Sequence, residues 1–123
     1  MNISEAESQV MEVFWSAKGP LSADDVVTLM DGQGDWSAGT IRTFLSRLLR
    51  KEALTATLDG RRYLYSPRLR REEYVHEQSR RLIDRLFDGR IAPFVTQFSE
   101  RQTLTRREID ELKKLIEKLD HDR

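Results

Sequence analysis

Residues 35–67, "DWSAGTIRTFLSRLLRKEALTATLDGRRYLYSP", place a helix and a hairpin in one run, and that order decides the fold. Ser37 is a residue type that caps helix N-termini. Behind it, Ile41, Phe44, Leu45, Leu48 and Leu49 recur at i, i+3, i+4, i+7 and i+8, which predicts a helix with one buried face. At about 100° per residue the opposite face carries Thr43, Arg47 and Arg50, with Gly39, Thr40 and Ser46 beside them and Arg42 at the rim. Two β-prone runs follow, "ALTATL" and "RRYLYS", and Asp59-Gly60 between them is a hairpin signal. The hairpin carries Arg61 and Arg62 next to Tyr63 and Tyr65. Trp36, at the entrance of the helix, reads as a packing anchor rather than a base-stacking residue.

Upstream of this stretch, Ser4 with Glu7 is a capping-box pair. Ala6, Val10, Val13 and Phe14 then follow at helical spacing, and Lys18-Gly19-Pro20 stops that helix. Ser22 with Asp25 starts a second helix, with Val26, Val27, Leu29 and Met30 on its apolar side and Gly32 and Gly34 at its end. Three helices followed by a hairpin form a winged helix-turn-helix, which we place over residues 1–70.

After Pro67 the character changes. "REEYVHEQSRRLIDRLFDG" reads as a helix closed by Gly89 at its C′ position. Pro93 suits the first turn of another helix. Thr105 with Glu108 makes a further capping box, and Ile109, Leu112, Ile116 and Leu119 follow at 3-4-3 spacing. These helices hold too few apolar residues for a core of their own. Residues 71–123 therefore read as a three-helix dimerisation arm whose seam is Leu82, Leu86, Phe94, Phe98, Ile109, Leu112, Ile116 and Leu119. The expected fold is mainly α, a winged helix followed by this arm.

Formal neutrality over 123 residues hides a segregation of charge. Residues 1–35 carry one lysine against seven acids, a net of −6; residues 36–71 carry nine Arg/Lys against Glu52 and Asp59, a net of +7. Residues 72–123 carry eleven basic and twelve acidic residues, a net of −1. A basic block with hydroxyls between its arginines, on a helix followed by an arginine-bearing hairpin, points to a polyanionic partner. The expectation is double-stranded DNA, contacted by Thr40, Arg42, Thr43, Arg47, Arg50, Arg61 and Arg62. Arginine can read guanine O6/N7 bidentately, and threonine can donate, accept or touch a thymine methyl. The acidic N-terminal block is expected to face away or to pack on the arm.

Several classes are excluded or demoted. With no cysteine, a disulfide framework, a thiolate nucleophile and a cysteine metal site are impossible. His76 lies on one helical turn with Glu72 and Glu73, a known ligand spacing. The other histidine, His121, falls in the terminal segment, so a solvated helix face is the expectation and no metal or cofactor is called for. No GxSxG motif and no Gly-rich phosphate loop occurs, so an enzyme is not expected. No apolar signal core or membrane span is evident, which predicts a cytoplasmic protein without membrane insertion. The alternative to DNA binding is a winged-helix module for protein–protein contact.

The segments "ISEAESQVMEVFW", "DWSAGTIRTFLSRLLRKEAL", "RRYLYSP" and "LTRREIDELKKLI" together resemble the penicillinase-repressor family (BlaI/MecI type). The resemblance implies a cytoplasmic repressor that binds dyad-symmetric operators as a homodimer, typically through TACA/TGTA half-sites. It also implies an antibiotic-resistance circuit in which a sensor-linked protease cleaves the repressor. The family's recognition-helix contacts fall on Thr40, Arg42, Thr43 and Arg47. Ala38-Gly39 stands where these repressors usually have Pro-Lys, so one lysine contact is missing, and Glu52 stands where a glycine usually closes the helix. The inactivating cut implied by the resemblance falls at Gln97-Phe98, with glutamine in place of the usual asparagine. Copper-responsive relatives sense metal through a cysteine-rich tail, a mode closed to this chain.

Overall fold

The computed structural model describes residues 2–31, 34, 36–101 and 103–123. In chain order the elements are α1 (Glu5–Ser16), β1 (Leu21–Ser22), α2 (Ala23–Leu29), α3 (Ala38–Arg50), β2 (Leu54–Asp59), β3 (Arg62–Pro67), α4 (Arg71–Phe87), α5 (Ile91–Glu100) and α6 (Arg106–His121). They divide into two compact units, Met1–His76 and Glu77–Arg123, with α4 beginning in the first and continuing in the second. No helix among the described residues is long and apolar enough to cross a membrane.

The first unit is a winged helix. Ser4 and Glu7 exchange both capping-box bonds at the start of α1, Ser22 and Asp25 do so at α2, and the Ser37 hydroxyl accepts from the Thr40 N–H at α3. Three helix starts are thus fixed locally, each serine hydroxyl accepting from a backbone N–H that would otherwise be unsatisfied. Val10, Met11 and Phe14 of α1, Val26 of α2, Met30 just beyond it, and Ile41, Phe44, Leu45 and Leu48 of α3 fill one core with Ala53, Leu54 and Leu69. Trp36 meets Phe44 edge-on with ring centres 5.2 Å apart, a packing role at the entrance of α3. The Trp15 indole N–H donates to the Leu69 carbonyl at 2.9 Å and its ring lies 5.6 Å from Tyr74, which ties α1 to the start of α4.

Several local expectations shift. Leu29 is 48% exposed and leaves the apolar side of α2 to Val26 and Met30. Gly32 lies outside the described residues. A two-residue strand, β1, adds to the hairpin and makes an antiparallel sheet of order β1-β3-β2. The hairpin loop is Gly60-Arg61 rather than Asp59-Gly60, because Asp59 pairs with Arg62 as the last rung. Gly60 supplies the positive φ of +66° at the first loop position, as a II′ turn requires. That register puts Arg61 at the very tip of the wing.

The end of α3 shows what becomes of the missing glycine. Glu52 adopts φ +64°, its N–H reaches the Leu49 carbonyl at 3.0 Å, and the Ala53 N–H reaches the Leu48 carbonyl at 2.9 Å. This is the Schellman ending, formed with a side chain that disfavours the left-handed region. Glu52→Gly is therefore expected to raise the unfolding free energy by about 0.5–1 kcal/mol, read from urea denaturation. A loss of stability would show that the exposed Glu52–Arg68 pair at 3.7 Å outweighs the backbone strain.

In the second unit, Asp88 (φ +55°) and Gly89 (φ +77°) both turn left-handed after α4, so the exit takes two such residues rather than a single glycine C′. Phe87, Phe94 and Phe98 stack edge-to-face at 5.6 and 5.2 Å. At α6 the Thr105 hydroxyl accepts from the Glu108 N–H at 3.1 Å, and only this half of the expected capping box is formed among the described residues. Neither α5 nor α6 contains a buried residue.

Candidate nucleic-acid interface

The face of α3 opposite the core is solvent-exposed at Arg42, Thr43, Ser46, Arg47 and Arg50, while Thr40 is half-buried. Thr43 donates its hydroxyl to the Gly39 carbonyl at 3.1 Å, and the Thr40 and Ser37 hydroxyls lie 3.0 Å apart. Both threonine oxygens are thereby oriented from within their own helix and keep acceptor capacity toward an outside partner. Gly39 leaves the first turn of α3 low, with only the Ser37 hydroxyl near the place of a side chain.

The distribution of ion pairs sorts the basic block. Arg42 pairs with Asp24, Lys51 with Glu7 at 2.6 Å, and Arg71 with Glu12 at 3.1 Å. Arg62 lies 3.8 Å from Asp59, Arg68 3.7 Å from Glu52, and Arg70 3.0 Å from Glu73. Arg47, Arg50 and Arg61 have no ion pair among the described residues. Two of these lie on the outer face of α3 and one at the tip of the wing, so the uncompensated positive charge sits on two elements that a groove can meet at once.

The acidic N-terminal block thus behaves differently from expectation. It does not face away: Glu7 and Asp24 neutralise Lys51 and Arg42 inside the winged helix, and Glu12 alone reaches the first residue of the arm, Arg71. Asp25 is held below the usual carboxylate range by hydrogen bonds from the Ser22 backbone and hydroxyl, with a smaller contribution from the charge of Arg62. Sequence reasoning missed Asp24 as a member of this surface. It stands eighteen residues from Arg42, and no local pattern reports a contact at that separation.

A concavity of about 260 Å³ opens between the start of α2, α3 and the wing, with Asp24, Arg42, Arg61, Arg62, Tyr63 and Tyr65 along its walls. Tyr63 is 55% exposed and Leu58, its partner across the hairpin, 59% exposed, so the wing presents an apolar girdle below its arginine tip. Among the described residues no three His, Asp or Glu side chains gather as metal ligands, and His76 stands exposed on α4.

The remaining assigned residues lie in the second unit. Leu82, Phe94, Ile109 and Leu112 are half-buried, whereas Leu86, Phe98, Ile116 and Leu119 are exposed. Gln97 and Phe98 fall in the last part of α5, and Phe98 is 41% exposed.

Three comparisons bear on this surface. A family model described as "Penicillinase repressor" matches residues 3–118. The penicillinase repressor of Bacillus licheniformis is 32% identical over 115 residues, covering 94% of this chain and 89% of that protein. The methicillin resistance regulatory protein MecI of Staphylococcus aureus (strain N315) is 30% identical over 116 residues, covering 94% of each. Among solved structures, the DNA-binding domain of the repressor BlaI matches with a TM-score of 0.54 at 34% identity, covering 59% of this chain and 88% of that one. The monomeric form of Bacillus licheniformis BlaI in complex with the blaP half-operator matches with a TM-score of 0.53 at 34% identity, covering 60% and 89%.

Proposed function

The chain belongs to the penicillinase repressor family, and we propose that it silences transcription as a homodimer seated on a dyad-symmetric operator. It is a DNA-binding transcriptional repressor. The observation that carries the reading is the trio of arginines of the basic block that have no ion pair among the described residues, Arg47 and Arg50 on α3 and Arg61 on the wing. In the mechanism we infer, α3 enters the major groove, Thr40, Thr43 and Arg47 meet base edges, and Arg50 and the wing grip phosphates. Two copies joined by their arms set their third helices roughly one helical turn apart. Promoter access is then blocked by occupancy alone, with no chemistry required of the protein.

Arg47→Ala is expected to weaken operator binding by about 1–3 kcal/mol and to relax the sequence preference at one position. Arg61→Ala should instead weaken binding to every duplex alike and lower the salt slope by about one. Anisotropy titrations against a randomised set of duplexes check both. Unchanged affinity in both variants, or duplex binding that barely responds to salt, would favour a protein-contact role for the winged helix.

Release by proteolysis belongs to the same proposal. The bond between Gln97 and Phe98 lies inside α5, and a protease that takes extended peptide needs this helix to open locally. The helix is suited to that: none of its residues is buried, and Arg90 at its N-cap makes no side-chain capping bond.

A further inference from the structure

Asp24 puts a negative charge into a surface that otherwise gathers arginines. It stands in the first turn of α2 with 85% of its side chain exposed, and it accepts a hydrogen bond from Nη2 of Arg42 across the helix-turn-helix. Arg42 is itself half-exposed, and Arg61 and Arg62 share the same concavity. The fold would tolerate a neutral residue at this position, since Asp24 takes no part in the capping box, which Ser22 and Asp25 complete.

Resting on the repressor reading, we propose that Asp24 is a specificity-determining residue that acts through Arg42. The pair keeps the arginine occupied on duplexes of the wrong sequence and yields it to the right one. A phosphate that captures Arg42 exchanges one exposed ion pair for another, and exposed pairs differ by at most several-fold in equilibrium constant. A guanine offers the guanidinium two parallel hydrogen bonds, and such base contacts discriminate by roughly ten- to hundred-fold. Only the second exchange is clearly favourable. The acid therefore lowers background affinity more than operator affinity, so the ratio between them rises.

The test uses the full chain and two duplex probes of equal length, one of mixed sequence and one that the wild-type chain enriches from a randomised library. Asp24→Asn is expected to raise affinity for the mixed-sequence duplex about three- to ten-fold and to steepen the salt slope by about 0.9, the contribution of one further phosphate neutralised. Affinity for the enriched duplex should rise less, so selectivity falls. Asp24→Glu keeps the charge and should restore wild-type behaviour, which loss of structure in the Asn variant could not explain. In an Arg42→Ala background, Asp24→Asn should change affinity less than about two-fold. An unaltered salt slope in Asp24→Asn overturns the proposal. So does an undiminished gain in the Arg42→Ala background, which would make Asp24 a simple repulsive charge. A wild-type chain that enriches no duplex at all would overturn the repressor reading, a separate outcome.

Discussion

Lys51→Met is expected to lower the unfolding free energy by about 2–4 kcal/mol at neutral pH, because it strands a buried carboxylate. Glu7 is 1% exposed, yet its Oε1 accepts hydrogen bonds from the Ser4 N–H at 2.9 Å and from Lys51 Nζ at 2.6 Å. Its Oε2 has no hydrogen-bond partner among the described residues. Lys51 is the C-cap residue of α3, so the contact joins the first turn of α1 to the end of the proposed recognition helix. The lysine side chain is 36% exposed, and solvent reaching it places the effect below that of a fully enclosed pair.

Acidity offers an internal check on this result. Burial pushes the Glu7 carboxyl up, but the Lys51 hydrogen bond, the two Ser4 bonds and the Lys51 charge outweigh it and hold the group below its ordinary value of 4.5. A group whose pKa is depressed on folding contributes stability above its unfolded value, and that contribution disappears as pH falls through the folded value. Wild-type stability should therefore decline below about pH 4.5 by way of Glu7. In Lys51→Met the burial effect is left dominant and the carboxyl binds a proton more readily. The deficit of the variant should thus be largest near neutrality and shrink in acid. Urea unfolding at both pH values measures it, and a deficit below about 1 kcal/mol that ignores pH would show Glu7 to be satisfied without its lysine.

The parts of this fold that sequence reading reached were those with a local cause. The α3 stripe from Ile41 to Leu48 has a helical period, and Ser4, Ser22 and Ser37 cap the backbone three residues ahead of themselves. The two residues of β1 carry no period, and Leu21 and Ser22 become a strand only because Tyr65 and Leu64 lie beside them. The Asp-Gly signal located the hairpin but set its loop one residue early, since a II′ turn wants glycine first and Asp59 is better used as a rung. Charge was the least legible property. Block sums separated an acidic N-terminus from a basic centre, but Glu7–Lys51 spans 44 residues and Glu12–Arg71 spans 59. Only the tertiary fold shows which arginines are compensated and which are left for a partner.

The arm should prove as decisive for binding as the winged helix. Ile116→Glu and Leu119→Glu, singly, are expected to raise the dimer dissociation constant by about 100-fold or more, since an unpaired charge at an apolar seam costs several kcal/mol. Leu115, Ile116 and Leu119 are 52%, 62% and 57% exposed on α6, and Leu86 and Ile91 are 59% and 66% exposed. Ile83 is the only buried apolar residue among the described residues of the second unit. A helical segment with so little interior needs a partner surface to fold stably. Leu112 is a poorer probe than Ile116, because it is half-buried and lines a groove with Phe94, Phe98, Leu104 and Leu115, so its replacement also disturbs packing inside the arm. Ile116 and Leu119 stand outside that groove, and their substitution should leave the melting of the winged helix unchanged. Operator affinity should nevertheless fall by about 10²–10⁴-fold, because the second half-site is no longer bound at high effective concentration. A chain ending at Gln97 removes α6 altogether and should show the same loss, which is how a cut before Phe98 would relieve repression. Sedimentation and anisotropy on one set of samples decide the matter. A wild-type chain that sediments as a monomer at micromolar concentration, or a truncated one that still pairs and binds as tightly, would exclude the arm as the source of affinity.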